Sequence, residues 1–181
     1  MKQALLLVDI QNEYFEGGKR TLHEPLKALG NAELVLKKFR KAGAPVIHVQ
    51  HINNNQGATS FLPGTEGVNI HERLTPLKCE PVVVKHEPSS FFNTDLLEIL
   101  HWREITELVV CGMMSHMCID TTVRACKDHR LNVTLLEDAC TTMDLAFQGE
   151  VIPAQAVHKT FMAALNGMFA RVITTEEYLA E

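Results

Sequence analysis

The chain has 181 residues, a hydrophobic fraction of 46% and a formal net charge of -5. These values fit one globular domain over residues 1–181 that binds a small-molecule substrate, and they give no general attraction to nucleic acid or to an anionic membrane. The sequence contains neither an apolar run long enough to span a bilayer nor a signal-peptide cleavage site, so we expect a cytoplasmic protein without membrane contact.

Six short apolar runs are predicted as strands, and helix-length amphipathic segments separate them. The predicted strands are residues 4–10, 44–50, 81–86, 107–112, 132–138 and 170–174, and the predicted helices are residues 24–42, 94–102, 115–129 and 150–168. Most of the strands lack in/out alternation, which is typical of parallel strands covered on both faces by crossover helices. The long polar loop over residues 51–79 is predicted to bind a ligand or to close over a site.

Ionisable or nucleophilic side chains stand just beyond three of the predicted strands. Asp9 follows the first strand, Lys85 lies near the end of the third, and Cys118 comes shortly after the fourth. Ligands of open parallel sheets bind beyond the carboxyl ends of the strands, so we expect these three side chains to meet at one edge. Singly, each residue type more often has a structural role. Together they are better explained by mutual neutralisation at one site, because an unpaired buried charge is costly.

The position of Cys118 favours a reactive thiolate. Ser115 is a good N-cap residue, and it places Cys118 in the first turn of the predicted helix, where free N–H groups and the helix dipole favour an anion. With Lys85 as a nearby cation, we expect the pKa of this thiol to be lowered, so that Cys118 acts as a nucleophile. Asp9 is the expected acceptor of the thiol proton and later the proton donor to a leaving group.

Three ordered motifs carry a resemblance to a known family. The segments are "LLLVDIQNEYF", "VVKHEPSSFFNTDLLEIL" and "LVVCGMMSHMCIDTTVRACKDHRLNVTLLEDAC". Over nearly its whole length, the chain resembles the isochorismatase-like cysteine hydrolases. The resemblance implies a single-domain, three-layer α/β/α fold with a six-stranded parallel sheet in the order 3-2-1-4-5-6. It also implies a homodimer or homotetramer, which the strongly apolar segment 154–170 favours as well.

The same resemblance assigns roles to individual residues. It implies that Asp9, Lys85 and Cys118 form a catalytic triad. It further implies a cis peptide bond between Met113 and Met114, with the backbone N–H groups of Met114 and Cys118 forming an oxyanion hole.

The function predicted from these residues is hydrolysis of a C–N bond in a small molecule. The bond would be an amide, carbamoyl or lactam bond, cleaved through a thioester on Cys118. One alternative is hydrolysis of a vinyl ether, in which protonation by Asp9 carries the chemistry. A third interpretation is a thiol redox protein, which would need Cys111 or Cys126 as the resolving thiol.

The substrate contacts and a metal site are less well specified by the sequence. Nicotinamidases of the resembled family carry an Asp-x-His metal motif after the second strand, but no Asp stands two residues before His51 or His71. We therefore expect no metal, and we expect no other cofactor. The predicted substrate contacts are three aromatic and three polar side chains, namely Phe15, Phe91, Phe92, Gln11, Asn12 and His116.

Overall fold

A computed structural model describes residues 2–181 of the chain, in which six parallel strands form a central sheet. The strands of this sheet are β1 (Gln3–Val8), β2 (Val46–His51), β3 (Val82–Lys85), β4 (Glu107–Met113), β5 (Asn132–Thr141) and β8 (Arg171–Ile173). They are arranged in the order β3-β2-β1-β4-β5-β8, and every neighbouring pair is parallel. The predicted fold class and strand order are confirmed, with β8 as the sixth strand of the sheet.

Within residues 2–181, five α-helices accompany the sheet and complete the three layers. They are α1 (Pro25–Lys41), α2 (Leu96–Trp102), α3 (Asp120–Asp128), α4 (Ala154–Leu165) and α5 (Thr175–Leu179). Helix α1 packs with α5, and helix α3 packs with α4, so each pair covers part of the sheet. Parallel strands need this double cover because both of their faces are apolar.

The core lies along β1, the strand at the centre of the sheet. Its residues from Ala4 to Val8 are all buried and all apolar, so the strand has no polar face. Helix α1 adds Leu29, Val35 and Leu36 to the same core at helical spacing. A run buried on both faces gives β1 a fixed position, and the residue that follows it is therefore held rigidly at the edge of the sheet.

The structure corrects the prediction that a helix starts at residue 150. Residues 145–152 form an antiparallel hairpin instead, with strands β6 (Leu145–Phe147) and β7 (Glu150–Ile152). Helix α4 starts only after Pro153, where the Asp144 carboxylate accepts a hydrogen bond from the backbone N–H of Ala154 at 2.7 Å. Proline lacks a donor and restricts the residue before it to extended backbone, so Pro153 separates the hairpin from the helix.

Several apolar side chains remain exposed on the hairpin and after α4. Phe147, Val151 and Met168 are each about two-thirds exposed. The sequence-based expectation of a homodimer or homotetramer stays a prediction. Among residues 2–181, the helices are all too short or too polar to cross a membrane.

Candidate active site

The carboxyl ends of β3, β2, β1 and β4 lie side by side, in that order, at one edge of the sheet. Val8 is in register with Gly112, and His51 is in register with Lys85. Gly112 has a φ of +142°, and a Cβ atom there would lie 2.0 Å from the carbonyl oxygen of Val8. Only glycine allows β4 to approach β1 so closely at this point.

Asp9, Lys85 and Cys118 meet at this edge, and we call them the thiol cluster. Lys85 Nζ lies 2.8 Å from Asp9 Oδ2 and donates to Cys118 Sγ at 3.2 Å. The side chains of Asp9 and Lys85 are fully buried, and Cys118 is 4% exposed. Asp9 has a φ of +52°, a left-handed conformation that non-glycine residues adopt at some cost, often at functional sites.

The ammonium group of Lys85 has further acceptors around it. It donates to the Glu87 carbonyl oxygen at 3.1 Å and lies 3.4 Å from His51 Nδ1. By contrast, neither carboxylate oxygen of Asp9 accepts a hydrogen bond of regular geometry from the described residues. The cluster thus contains a well-surrounded cation and a carboxylate with free acceptor capacity.

Cys118 lies in a π-helical turn over residues Ser115–Ile119, directly before α3. Such single π turns occur mainly at functional sites. The peptide bond between Met113 and Met114 is cis, and the Met114 carbonyl oxygen accepts the N–H groups of Met117 at 3.0 Å and Ile119 at 3.2 Å. The backbone thus turns sharply between the end of β4 and the thiol.

The expected N-cap role of Ser115 is wrong. The capping position is Met114, whose side chain makes no capping hydrogen bond. Ser115 is fully buried, and its Oγ shares a hydrogen bond of 2.7 Å with His158 Nδ1 on α4. The hydroxyl therefore ties the π turn to a neighbouring helix.

The expectation that the resting thiol has a lowered pKa is also wrong. Burial raises the pKa of the Cys118 thiol, the Asp9 charge raises it further, and Lys85 opposes them without reversing the shift. Burial lowers the pKa of Lys85, but Asp9 and Cys118 outweigh burial, and the net shift is upward. The resting cluster therefore holds a protonated thiol beside an ammonium group.

A cavity of about 220 Å³ opens in front of the thiol. Its lining residues come from the segment after β1, the loop after β2, the segment after β3 and the π turn: Tyr14, Arg20, His51, Asn53, Asn55, Ser60, Phe61, His86, Glu87, Pro88, Met114, Met117 and Cys118. Both residues predicted to form the oxyanion hole, Met114 and Cys118, thus face this cavity. Its volume suits a small polar molecule.

The three polar side chains predicted to contact substrate have other partners. Gln11 is buried and contacts the loop after β2 near both of its ends. Its Nε2 donates to the carbonyl oxygens of His51 at 2.8 Å and Val68 at 2.6 Å. Asn12 Nδ2 donates to the Glu66 carbonyl oxygen at 3.2 Å. His116 hydrogen-bonds Thr142 through Nδ1, and it does not line the cavity at Cys118. An amide near a strand end can satisfy the backbone as readily as a ligand, and the contact of these three side chains with substrate stays a prediction.

The three predicted phenylalanines also lie outside the lining of this cavity. Phe15 is buried with its ring centroid 4.5 Å from that of His71. Phe91 packs against His129, with a centroid distance of 4.8 Å, and Phe92 is 56% exposed. The aromatic rings at the cavity are those of Tyr14 and Phe61, which meet edge to face at 5.0 Å.

The two loop histidines considered as metal ligands lie in different surroundings. His51 faces Lys85, and burial, followed by the Lys85 charge, lowers its pKa. His71 Nδ1 accepts the backbone N–H of Arg73 at 3.3 Å. Within residues 2–181, no group of three or more His, Cys, Asp or Glu side chains has the geometry to hold a metal ion.

The thiols that a redox function would need are not next to Cys118. All five cysteines are free, and burial, followed by the charges of Cys140 and Asp138, raises the pKa of the Cys111 thiol, which disfavours its reactive thiolate form. Cys126 is buried within α3, eight residues after Cys118, which corresponds to about 12 Å along a helix. Disulfides need Cα atoms within about 7 Å, so Cys126 is too distant to pair with Cys118.

Residue-by-residue reasoning did not single out Arg20, Tyr14 or Phe61 as lining the cavity. A signal existed for Tyr14, which belongs to the first quoted motif, and for Phe61, which belongs to the loop predicted to bind a ligand. Nothing in the sequence around Arg20 indicates that its side chain lines the cavity in front of Cys118.

The chain is similar to known proteins over nearly its whole length. The family model for the isochorismatase domain matches residues 3–177. The isochorismatase family protein YddQ of Bacillus subtilis is 54% identical over 179 residues, which is 99% of each chain. A crystal structure of an isochorismatase-family protein from Oleispira antarctica has a TM-score of 0.96 at 41% identity, covering 99% of this chain and 97% of that one.

A relative with a named activity is also similar. Streptothricin hydrolase of Streptomyces noursei is 36% identical over 145 residues, which is 79% of this chain and 51% of that protein. The family model covers nearly all of the chain, and the B. subtilis relative matches it from end to end. The chain therefore belongs to the isochorismatase family and is a hydrolase of that family.

Proposed function

We propose that the protein hydrolyses an amide-type C–N bond of a small molecule through a thioester on Cys118. The observation that carries this proposal is the thiol cluster, in which a thiol that lines a cavity meets a buried ammonium group and a buried carboxylate with free acceptor capacity. The similarity to a relative named streptothricin hydrolase supports hydrolysis as the reaction class.

In the first step, Cys118 Sγ attacks the substrate carbonyl carbon while its proton passes to the Asp9 carboxylate. The transfer is coupled to attack because the raised pKa of the thiol disfavours a free thiolate in the resting site. The carbonyl oxygen becomes an oxyanion, and the N–H groups of Met114 and Cys118 are the proposed donors to it. One such donor contributes about 3 kcal/mol in comparable sites.

In the second step, the C–N bond breaks and the amine leaves with the proton held by Asp9. This leaves an acyl group in thioester linkage to Cys118 and an ionised Asp9. A water molecule then gives a proton to Asp9 and attacks the thioester carbon. The C–S bond breaks, the acid departs, and Asp9 returns the proton to the Cys118 sulfur, which restores the starting state.

Lys85 has a positioning and electrostatic role in this scheme. Its ammonium group contacts both the carboxylate and the sulfur, so it stabilises negative charge on whichever of the two carries it.

The other two candidate functions use the site less completely. A vinyl ether hydrolase would need Asp9 as an acid but would not need the thiol at the cavity base. A redox function would need a second thiol beside Cys118, and Cys126 is too distant along α3 to supply one.

The test is a panel of small amides, ureides and lactams, assayed for release of ammonia or amine. We expect Cys118→Ala to abolish turnover while Cys79→Ala, a matched change at an exposed cysteine, leaves it intact. Rapid acid quenching and mass spectrometry should then find the acyl group on the peptide containing Cys118. Full activity in Cys118→Ala would overturn the thioester route, and activity confined to vinyl ethers would establish the alternative.

A further inference from the structure

One wall of the cavity is built by two segments that run side by side. Lys19 Nζ donates to the Thr59 carbonyl oxygen at 2.8 Å, and Arg20 Nε donates to Ser60 Oγ at 3.1 Å. The backbone N–H of Phe61 donates to Glu13 Oε1 at 2.9 Å. Three successive loop residues are thus joined to the segment that follows β1.

The buried carboxylate of Glu13 joins the two segments of this wall. Glu13 is only 5% exposed, and its Oε2 also accepts the backbone N–H of Lys19 at 3.4 Å. A Cβ atom on Gly18 would lie 2.3 Å from the Glu13 carbonyl oxygen, and one on Gly67 would lie 2.2 Å from Glu13 Oε2. Gly18 is required for this packing because its Cβ atom would meet backbone, and a side chain on Gly67 would displace the Glu13 carboxylate.

Arg20 brings a fixed cation to the cavity. Its Nε is occupied by Ser60, which is itself 5% exposed. Within residues 2–181, its two terminal nitrogens have no hydrogen-bond acceptor, and no carboxylate lies within ion-pair distance. A guanidinium group anchored through Nε presents its terminal N–H groups as a fork, which matches a carboxylate.

Glu87 is the carboxylate in the same lining, and it is less constrained. Both Arg20 and Glu87 are exposed, but Ser60 Oγ holds Arg20 Nε, whereas among the described residues the Glu87 side chain has neither a hydrogen bond nor an ion pair. Arg20 and Glu87 do not pair with each other. A preorganised group loses less entropy on binding than a mobile one. The cavity should therefore bind a negatively charged group, which pairs with Arg20, better than a positively charged one, which pairs with Glu87.

We propose that Arg20 is the specificity-determining residue of this site and that it binds a carboxylate on the substrate. The preferred substrates are then small amides that carry a carboxylate on the part of the molecule away from the cleaved bond. This inference rests on the proposed function, since it assumes that the cleaved carbonyl group sits at Cys118.

The test uses primary amides matched in length and different in charge. Succinamate and glutaramate carry a carboxylate, butyramide and valeramide are neutral, and 4-aminobutyramide carries an ammonium group. We expect kcat/KM to be highest for the anionic amides. Arg20→Met should lower kcat/KM for them by about 10- to 100-fold, the contribution of a hydrogen bond between charged groups, and for the neutral amides by less than about threefold.

Three further variants separate recognition from general electrostatics. Arg20→Lys keeps the charge but loses the fork, so it should restore only part of the activity on anionic amides. Lys41→Met removes an exposed cation at the end of α1 that neither lines the cavity nor takes part in its wall, and it should change the anionic-to-neutral ratio by less than about twofold. Glu87→Gln should raise that ratio, because it removes a repulsive charge. A preference for 4-aminobutyramide that Glu87→Gln abolishes would overturn the proposal.

Binding measurements distinguish failure of this inference from failure of the proposed function. Succinamate and glutaramate can be titrated into Cys118→Ala protein, with and without Arg20→Met, by calorimetry. Arg20-dependent binding without Cys118-dependent turnover of any amide would reject the proposed reaction and retain the carboxylate site. Cys118-dependent turnover that is equal for anionic and neutral amides, and insensitive to Arg20→Met, would reject Arg20 as the specificity determinant and retain the reaction.

Discussion

The molecule buries two groups of charged side chains at opposite ends of β3, and the two are built differently. The thiol cluster lies at the carboxyl end of that strand. A second group, which we call the edge cluster, lies at its amino end and consists of Arg40, His48 and Glu80. In the edge cluster, Glu80 Oε1 accepts from Arg40 Nε at 2.8 Å, and Oε2 accepts from Arg40 Nη2 at 2.7 Å and from the Leu77 backbone N–H at 2.9 Å.

The difference lies in how completely each carboxylate is satisfied. Both carboxylate oxygens of Glu80 accept hydrogen bonds, and His48 Nε2 is an additional partner of Oε2 at 3.1 Å. Asp9 has one ion-pair contact and no regular hydrogen bond among the described residues. A satisfied buried carboxylate is inert and stabilises the fold, whereas one with free acceptor capacity costs stability and can take up a proton. Glu80 is thus the carboxylate suited to a structural role, and Asp9 is the one suited to chemistry.

The largest effect should come from Lys85→Met, which removes the cation of the thiol cluster. We expect kcat/KM to fall on the order of 10³-fold or more, because the site loses the cation that stabilises negative charge on the carboxylate and on the sulfur. The free energy of unfolding should also fall, by about 3 kcal/mol, since an uncompensated carboxylate remains buried. Steady-state kinetics and urea denaturation measure the two quantities. Full activity would show that the ammonium group is not needed for proton transfer within the thiol cluster.

The matched change in the edge cluster is Glu80→Gln, which should affect stability alone. We expect the free energy of unfolding to fall by about 2 to 3 kcal/mol, because Arg40 and His48 lose their common acceptor. The value of kcat/KM per folded molecule should stay within about twofold of the original, since Glu80 does not line the cavity. A large loss of kcat in fully folded protein would contradict the separation of the two clusters.

The pH dependence of stability should identify the edge cluster directly. Burial raises the pKa of Glu80, but hydrogen bonds from Arg40, Leu77 and His48 outweigh burial and lower it from 4.5 to about 2. The stability that this carboxylate contributes is therefore fully present above about pH 4.5 and is lost as the pH falls toward 2. In Glu80→Gln, the fall in stability over this range should be shallower. Identical slopes in the two proteins would mean that other groups control acid unfolding.

A smaller effect is expected on the alkylation of Cys118 by iodoacetamide. Because Asp9 raises the pKa of this thiol and Lys85 lowers it, Asp9→Asn should speed labelling at pH 8, by about tenfold for each unit of pKa removed. Lys85→Met should slow labelling. Mass spectrometry of the Cys118 peptide measures the rates, with the exposed Cys79 as an internal reference. Slower labelling in Asp9→Asn would instead indicate that Asp9 activates the thiol in the resting protein.

The sequence predicted the sheet and the thiol cluster because both depend on local signals. Apolar runs buried on both faces identify parallel strands, and parallel topology brings their carboxyl ends together, so Asp9, Lys85 and Cys118 could be grouped without coordinates. The hairpin over residues 145–152 was missed because its two strands have only three residues each, too few to show a strand period.

The cavity wall could not be predicted in the same way. Arg20 reaches the cavity through a contact with Ser60, a residue 40 positions away, and no periodicity records such a pairing. The predicted lowering of the Cys118 pKa failed for a related reason. Helix position and a nearby cation are visible in the sequence, whereas full burial and the proximity of Asp9 depend on the tertiary fold.

The distribution of the five thiols also has a consequence for ageing in air. Only Cys79 is exposed, whereas the other four cysteines are buried and Cys118 keeps its proton at rest. Oxidation by dissolved peroxide proceeds through exposed thiolates, so damage should begin at Cys79 and link two molecules covalently while the nucleophile stays intact. A sample stored without reductant would then accumulate a disulfide-bonded species that is still fully competent.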